Sequence, residues 1–190
     1  MDDDIKLVES CLNGSRPAFQ RLVERYQDYV FTITMRVLRS REDAEEAAQD
    51  VFIKVYRTLN TFEQKSKFST WLYTVAYRTA LDRARRKQLP ISSIDDDESF
   101  IQLADNNVDS PAEELYNQDL NSQLQSAINR LKPIDAALIT LFYLHEKPIK
   151  EVADILGLTL TNAKTKLHRL REALKIELSN QLETEIADLL

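Results

Sequence analysis

Apolar residues in this chain recur at three- and four-residue intervals and almost never alternate with polar ones. That period belongs to the α-helix, where 3.6 residues per turn bring positions i, i+3, i+4 and i+7 onto one face. The clearest run is FSTWLYTVAYRTALDRARRK, from Phe68 to Lys87. Phe68, Trp71, Leu72, Val75 and Ala76 form one stripe, after which Arg78, Arg83, Arg85, Arg86 and Lys87 make the run basic. A helix with a buried aromatic root and a cationic far end is a way to hold nucleic acid. Only 2 glycines interrupt the 190 residues, so the fold class read from the sequence is all-α.

Two small helical domains are expected, over 1–88 and 113–178, joined by an acidic, flexible linker over 89–112 and followed by a tail over 179–190. The linker is rich in Asp, Ser and Asn and lacks a sustained period, a composition that does not bury enough apolar surface to order itself. In the first domain a helix starts near Asp2–Asp4, and a second follows Ser15-Arg16-Pro17 through Val37. Ser40 with Asp43 three residues on resembles a capping box. The next helix, Asp43 to Leu59, points Ala44, Ala47, Val51, Val55 and Leu59 inward, so Asp43, Glu46, Gln49, Asp50 and Lys54 should project from its other faces. Asn60 to Lys67 is a polar loop, and Ser69 or Thr70 is a candidate N-cap for the helix that follows. In the second domain, helices are expected from Pro111 to Leu131, Pro133 to Leu144, Pro148 to Leu156, and from Thr161 onward.

The net charge of −6 argues against a nucleic-acid partner until its distribution is read. Residues 64–88 carry +6, 89–119 carry −9, 145–175 carry +3 and 176–190 carry −4. Two basic patches are thus separated by acid, and local patches steer toward phosphates more than totals do. The single Cys11 cannot close an internal disulfide, which fits a reducing cytoplasm. No apolar run reaches membrane-spanning length, about 18 residues, and the MDDD start is unlike a secretory leader. No membrane insertion is expected. No catalytic set emerges. His145 and His168 stand far apart with no nearby Cys, there is no glycine-rich phosphate loop, and no cofactor or metal is implied.

Residues 148–174 read as a helix-turn-helix, with Gly157 at the turn. On the second helix Lys164, His168, Arg171 and Lys175 form one row, and Asn162, Lys166 and Arg169 an adjoining one. Such a helix fits the major groove, where Asn, Arg and Lys read base edges and bind phosphates. The helix after Ser40 carries exposed acids instead, so its partner should be a protein.

Three segments together resemble the extracytoplasmic-function (ECF) group of bacterial RNA polymerase sigma factors, which keep only sigma domains 2 and 4. DAEEAAQDVFIKVYRTL at 43–59 is similar to region 2.2, FSTWLYTVAYRTALDRARR at 68–86 to regions 2.3 and 2.4, and IKEVADILGLTLTNAKTKLHRLREAL at 149–174 to region 4.2. The resemblance implies that Asp43, Glu46, Gln49, Asp50, Phe52 and Lys54 meet core polymerase at the β′ clamp helices, with the β flap a second contact. It implies that Asn60, Phe62, Lys65, Lys67, Arg78, Arg83, Arg85 and Arg86 open and hold the −10 element. It implies that Thr161, Asn162, Lys164, Thr165, Lys166, His168, Arg169 and Arg171 read the −35 element. An anti-sigma factor as regulator, a non-catalytic role and a cytoplasmic location are implied in the same way. Arg78 stands where many members carry Asn. Two rivals remain from the residues alone: a helix-turn-helix regulator that binds duplex DNA without polymerase, and a helical protein that binds only other proteins.

Overall fold

The structure is a computed structural model that describes residues 3–87 and 124–188, with side chains to residue 179. All regular structure among the described residues is helical. The first half holds α1 (Asp3–Leu12), α2 (Arg16–Leu38), α3 (Arg41–Thr58), a 3₁₀ turn (Leu59–Thr61) and α4 (Phe68–Arg86). The second holds α5 (124–130), α6 (Pro133–Ile139), a π-helical turn (Thr140–Leu144), α7 (Ile149–Leu156) and α8 (Leu160–Asp188). The acidic linker over 89–112 and the helix start at Pro111 lie outside the described residues. No described helix is long and apolar enough to cross a membrane.

The helix ends follow local chemistry. Ser15 and Ser40 are extended N-caps whose hydroxyls accept from the Ala18 and Asp43 amides at 3.4 and 3.3 Å, and each such cap is worth about 1 kcal/mol. Asp43 does not project from α3 as the helical spacing predicts. It is buried, and its carboxylate turns to Arg83 of α4 and to Lys87, the C-cap of that helix. α7 ends at Gly157, whose φ of +71° is the left-handed conformation glycine adopts without a Cβ clash.

α4 begins two residues earlier than a Ser69 cap allows, and three earlier than a Thr70 cap. Lys67 is the N-cap and makes no side-chain cap bond. Ser69 and Thr70 lie inside the first turn, where both are buried. Their hydroxyls serve the other half of the molecule. Lys147 Nζ donates to Ser69 Oγ at 2.9 Å, and Thr70 Oγ1 donates to Glu151 Oε2 at 2.8 Å.

The first half packs α2, α3 and α4 around Leu22, Val30, Ile33, Ala47, Val51, Phe68 and Leu72, all at 1% exposure or less. α1 is tied on by Asp4, which accepts from Tyr26 Oη and from Arg25 Nη1. The second half buries Ile128, Leu138, Leu141, Val152, Ile155 and Ala163. The halves also pack on each other, α4 against α7 and α2 against α6, and their buried apolar side chains form one continuous cluster. Arg36 of α2 is buried in this seam. Its Nε donates to Thr140 Oγ1 at 3.2 Å, and its two terminal nitrogens donate to Asn129 and Gln125.

Candidate functional site

α8 is set by its apolar face. Ala163, Leu167 and Leu170 are buried, and the helix packs on α6 and α7. Thr159 Oγ1 accepts from the Asn162 amide at 3.2 Å, closing the first turn. Burial of that stripe turns Thr161, Asn162, Lys164, Thr165, His168, Arg169 and Arg171 to solvent. Lys166 differs: it is half-buried, with its ammonium 3.6 Å from Asp135 of α6. Arg171 lies over the Tyr143 ring at 5.6 Å and donates to its hydroxyl. The face is therefore cationic and polar along about three turns, with Arg171 held in place by an aromatic.

The residues expected to meet the −10 element are divided by the fold. Asn60, Lys65, Arg78, Arg85 and Arg86 are exposed. Lys65 pairs with Glu63, and Arg85 lies 3.7 Å from Asp82. Lys67 is exposed, yet its ammonium sits 3.1 Å from Glu151 of α7. Phe62 is buried, at 7% exposure, because the 3₁₀ turn folds it onto Phe68 and Trp71 at ring separations of 5.7 and 5.5 Å. It belongs to the floor of the loop rather than to its surface. Arg83 is half-buried against α3. It bonds Asp43 at 3.0 Å and Glu46, and it approaches Asp50 at 3.8 Å.

That Arg83 cluster joins the basic end of α4 to the acidic face of α3. The acids of α3 orient the cationic end of α4. The free face of α3 shows Glu46, Gln49, Asp50 and Lys54, with Phe52 half-buried. The structure adds Ile53 and Tyr56, which are 50% and 57% exposed. Both fall outside the Ala44–Val55 stripe, and an apolar residue displaced from a helix's core stripe was the available sequence signal for them.

The Lys87 ammonium, and then the Arg83 guanidinium, hold the Asp43 carboxyl below the usual carboxylate range. A depressed folded value means the stabilisation is present above the unfolded pKa, about 3.9, and is lost as pH falls through the folded one. Below about pH 4, unfolding of the wild type should therefore be promoted by protonation of Asp43. Asp43→Asn should be less stable at neutral pH and should show a flatter acid limb in a urea titration. An acid limb identical to the wild type's would remove Asp43 from this role.

Comparison with known proteins agrees with the geometry. The Sigma-70 region 2 family matches residues 22–89, and the Sigma-70, region 4 family matches residues 121–174. The ECF RNA polymerase sigma-E factor of Haemophilus influenzae is 31% identical over 179 residues, covering 90% of this chain and 93% of that protein. The ECF sigma factor SigW of Bacillus subtilis is 29% identical, covering 91% and 95%. Among solved structures, CnrH in complex with the cytosolic domain of CnrY shares the fold at TM-score 0.66 and 18% identity, covering 96% of this chain and 99% of that one. RpoE of Bartonella quintana, solved with the anti-sigma factor NepR, shares it at TM-score 0.60 and 21% identity, covering 85% and 96%. Paired region 2 and region 4 helices on one short chain define a sigma factor. This chain belongs to the ECF RNA polymerase sigma factors of the sigma-70 family, proteins that direct transcription initiation.

Proposed function

We propose that the chain docks on the β′ clamp helices of core RNA polymerase through the free face of α3, opens the −10 element with the loop and basic end of α4, and reads the −35 element with α8. The observation that supports this most is the disposition of α3 and α8. Each gives its apolar stripe to the core, leaving an acidic and apolar face at one place and a cationic face at the other. A DNA-binding regulator has no use for the first face. A protein that binds only other proteins has no use for the second.

In this reading domain 2 spans 1–88 and domain 4 spans 113–178, with the β flap as the second polymerase contact. The acidic linker threads channels of the polymerase that otherwise hold nucleic acid. The chain is a non-catalytic specificity subunit working in the cytoplasm, and an anti-sigma factor holds it inactive, as the NepR complex of the B. quintana relative supports. The energetics are consistent. Opening a few base pairs costs several kcal/mol at a mean stacking of about 1.4 kcal/mol per step, and holding an unstacked base offsets part of it.

Reconstitution with bacterial core polymerase tests the proposal: a stable complex and promoter-dependent initiation are expected. Asp50→Lys, at an exposed position, should weaken core association about tenfold, the equivalent of ~1.4 kcal/mol. Normal complex formation by that variant would move the docking face off α3.

A further inference from the structure

The turn that precedes the helix-turn-helix brings an aromatic side chain against α8. Within the π-helical turn Thr140–Leu144, Thr140 and Leu141 are buried. Phe142 is half-buried and packs on the core, and Tyr143 is 46% exposed. The His145 amide closes the turn by donating to the Thr140 carbonyl at 3.1 Å. A π turn holds one residue more than an α turn, so the side chains at its end leave the register of α6. Phe142 meets Tyr143 edge-on, with centroids 5.0 Å apart and ring planes at 86°. The Tyr143 ring is thus seated from the core side.

Arg171 of α8 lies on this ring. Its Cζ is 5.6 Å from the ring centroid, and its Nε donates to Tyr143 Oη. A long guanidinium side chain on a solvent-facing helix samples many rotamers, and that freedom is lost when it binds. Tyr143 removes part of it in advance. The chemistry of the holding group matters as much. Arg83 is held by carboxylates, and the Lys166 ammonium faces Asp135, so a phosphate would compete with an acid at either. Arg171 has no carboxylate partner among the described residues. A neutral ring and a hydroxyl oxygen orient its guanidinium and leave the charge uncancelled. Only Nε is engaged by the hydroxyl, and the two terminal nitrogens can still make a bidentate bond to an anion.

The position of Arg171 says which anion. At about 1.5 Å per residue it stands about 14 Å along the helix axis from Asn162. The major groove is about 12 Å wide. A helix that meets base edges with its first turns therefore carries Arg171 across to the phosphates that border the groove.

We infer that Tyr143 is a positioning residue for promoter binding: it holds Arg171 as a phosphate clamp at the far end of α8, a role that rests on the reading of α8 as the −35 reader. Tyr143 lies outside the helix-turn-helix and acts through Arg171 alone. Phosphate contacts set register and orientation and carry no base preference of their own. The pair therefore fixes where the first turn of α8 falls without choosing the bases it meets.

The full chain, reconstituted with core polymerase, is titrated over a salt series against a duplex promoter and against promoters with each −35 base changed in turn. Arg171→Ala should lower the slope of log affinity against log salt by about 1. Tyr143→Ala should weaken the promoter complex about threefold, by the same factor on every promoter and at unchanged affinity for core polymerase. Tyr143→Phe keeps a ring against Phe142 and removes the acceptor, and it should weaken the complex in the same direction. In an Arg171→Ala background neither Tyr143 change should have a further effect. Unchanged promoter affinity in both Tyr143 variants overturns the positioning role. So does a loss that persists in the Arg171→Ala background, which would put Tyr143 on the DNA itself, or a loss of core affinity, which would give the ring to polymerase. The Asn162→Ala, Arg169→Ala pair separates this failure from failure of the −35 reading. If that pair loses promoter affinity and the Tyr143 variants do not, the positioning role alone falls. If neither loses it, α8 is not the reader and both fall.

Discussion

Replacing Asn162 and Arg169 together by Ala is expected to reduce initiation from a promoter the holoenzyme selects by more than tenfold, at unchanged affinity for core polymerase. Asn162 lies in the first turn of α8, where a groove-reading helix meets base edges, and Arg169 lies two turns on along the exposed face. A good base contact is worth about 1–3 kcal/mol of discrimination, so losing two should be conspicuous. The pair is a cleaner choice than Lys166, whose ammonium faces Asp135 in a half-buried setting. Removing Lys166 would disturb the α6–α8 packing as well as any phosphate contact. Run-off transcription and a core-binding titration on the same preparation separate the outcomes. A parallel loss of core affinity would mean that α8 is not the DNA reader.

Leu72→Ala is expected to have the largest effect on stability. Leu72 has no exposed surface and sits in the cluster formed by α2, α3 and α4. Removing a fully buried Leu side chain to leave a cavity costs about 2–5 kcal/mol. That is a large share of the 5–15 kcal/mol typical of a folded domain. Urea unfolding should show a lower midpoint at a similar slope. Arg78→Ala on the exposed side of the same helix should stay within about 0.5 kcal/mol of the wild type. A small effect at Leu72 would mean that the α2–α4 packing is not the core of this domain.

The helices of the first half were legible because their apolar stripes repeat at the helical period. Ala44, Ala47, Val51, Val55 and Leu59 all point inward as that period demands. Gly157 was legible as a turn because its type fits a positive φ. What periodicity could not reveal was the second buried side of α4. Ser69, Thr70, Tyr73 and Tyr77 are buried, the first two bonded to a segment some eighty positions later, and a single helix's pattern carries no information about that partner. Ser69 and Thr70 therefore read as cap residues, although their hydroxyls bond Lys147 and Glu151. Asp43 read as exposed for the same reason, because its partners Arg83 and Lys87 stand on a different helix. Phe62 read as a loop residue that could meet a base, because nothing local marks an aromatic that folds inward onto Phe68 and Trp71. The cationic face of α8 was the more legible surface, since its rows lie on one helix and the apolar stripe alone orients them.

Permanganate mapping of unpaired thymines, on a promoter incubated with core polymerase and this chain, reads strand opening itself. Reactive bases are expected around the −10 element only when promoter, polymerase and chain are all present, with that reactivity lost when the chain is omitted. Protection of duplex promoter by the chain alone, with no strand opening in the presence of polymerase, would contradict that expectation and return the molecule to the class of ordinary helix-turn-helix regulators.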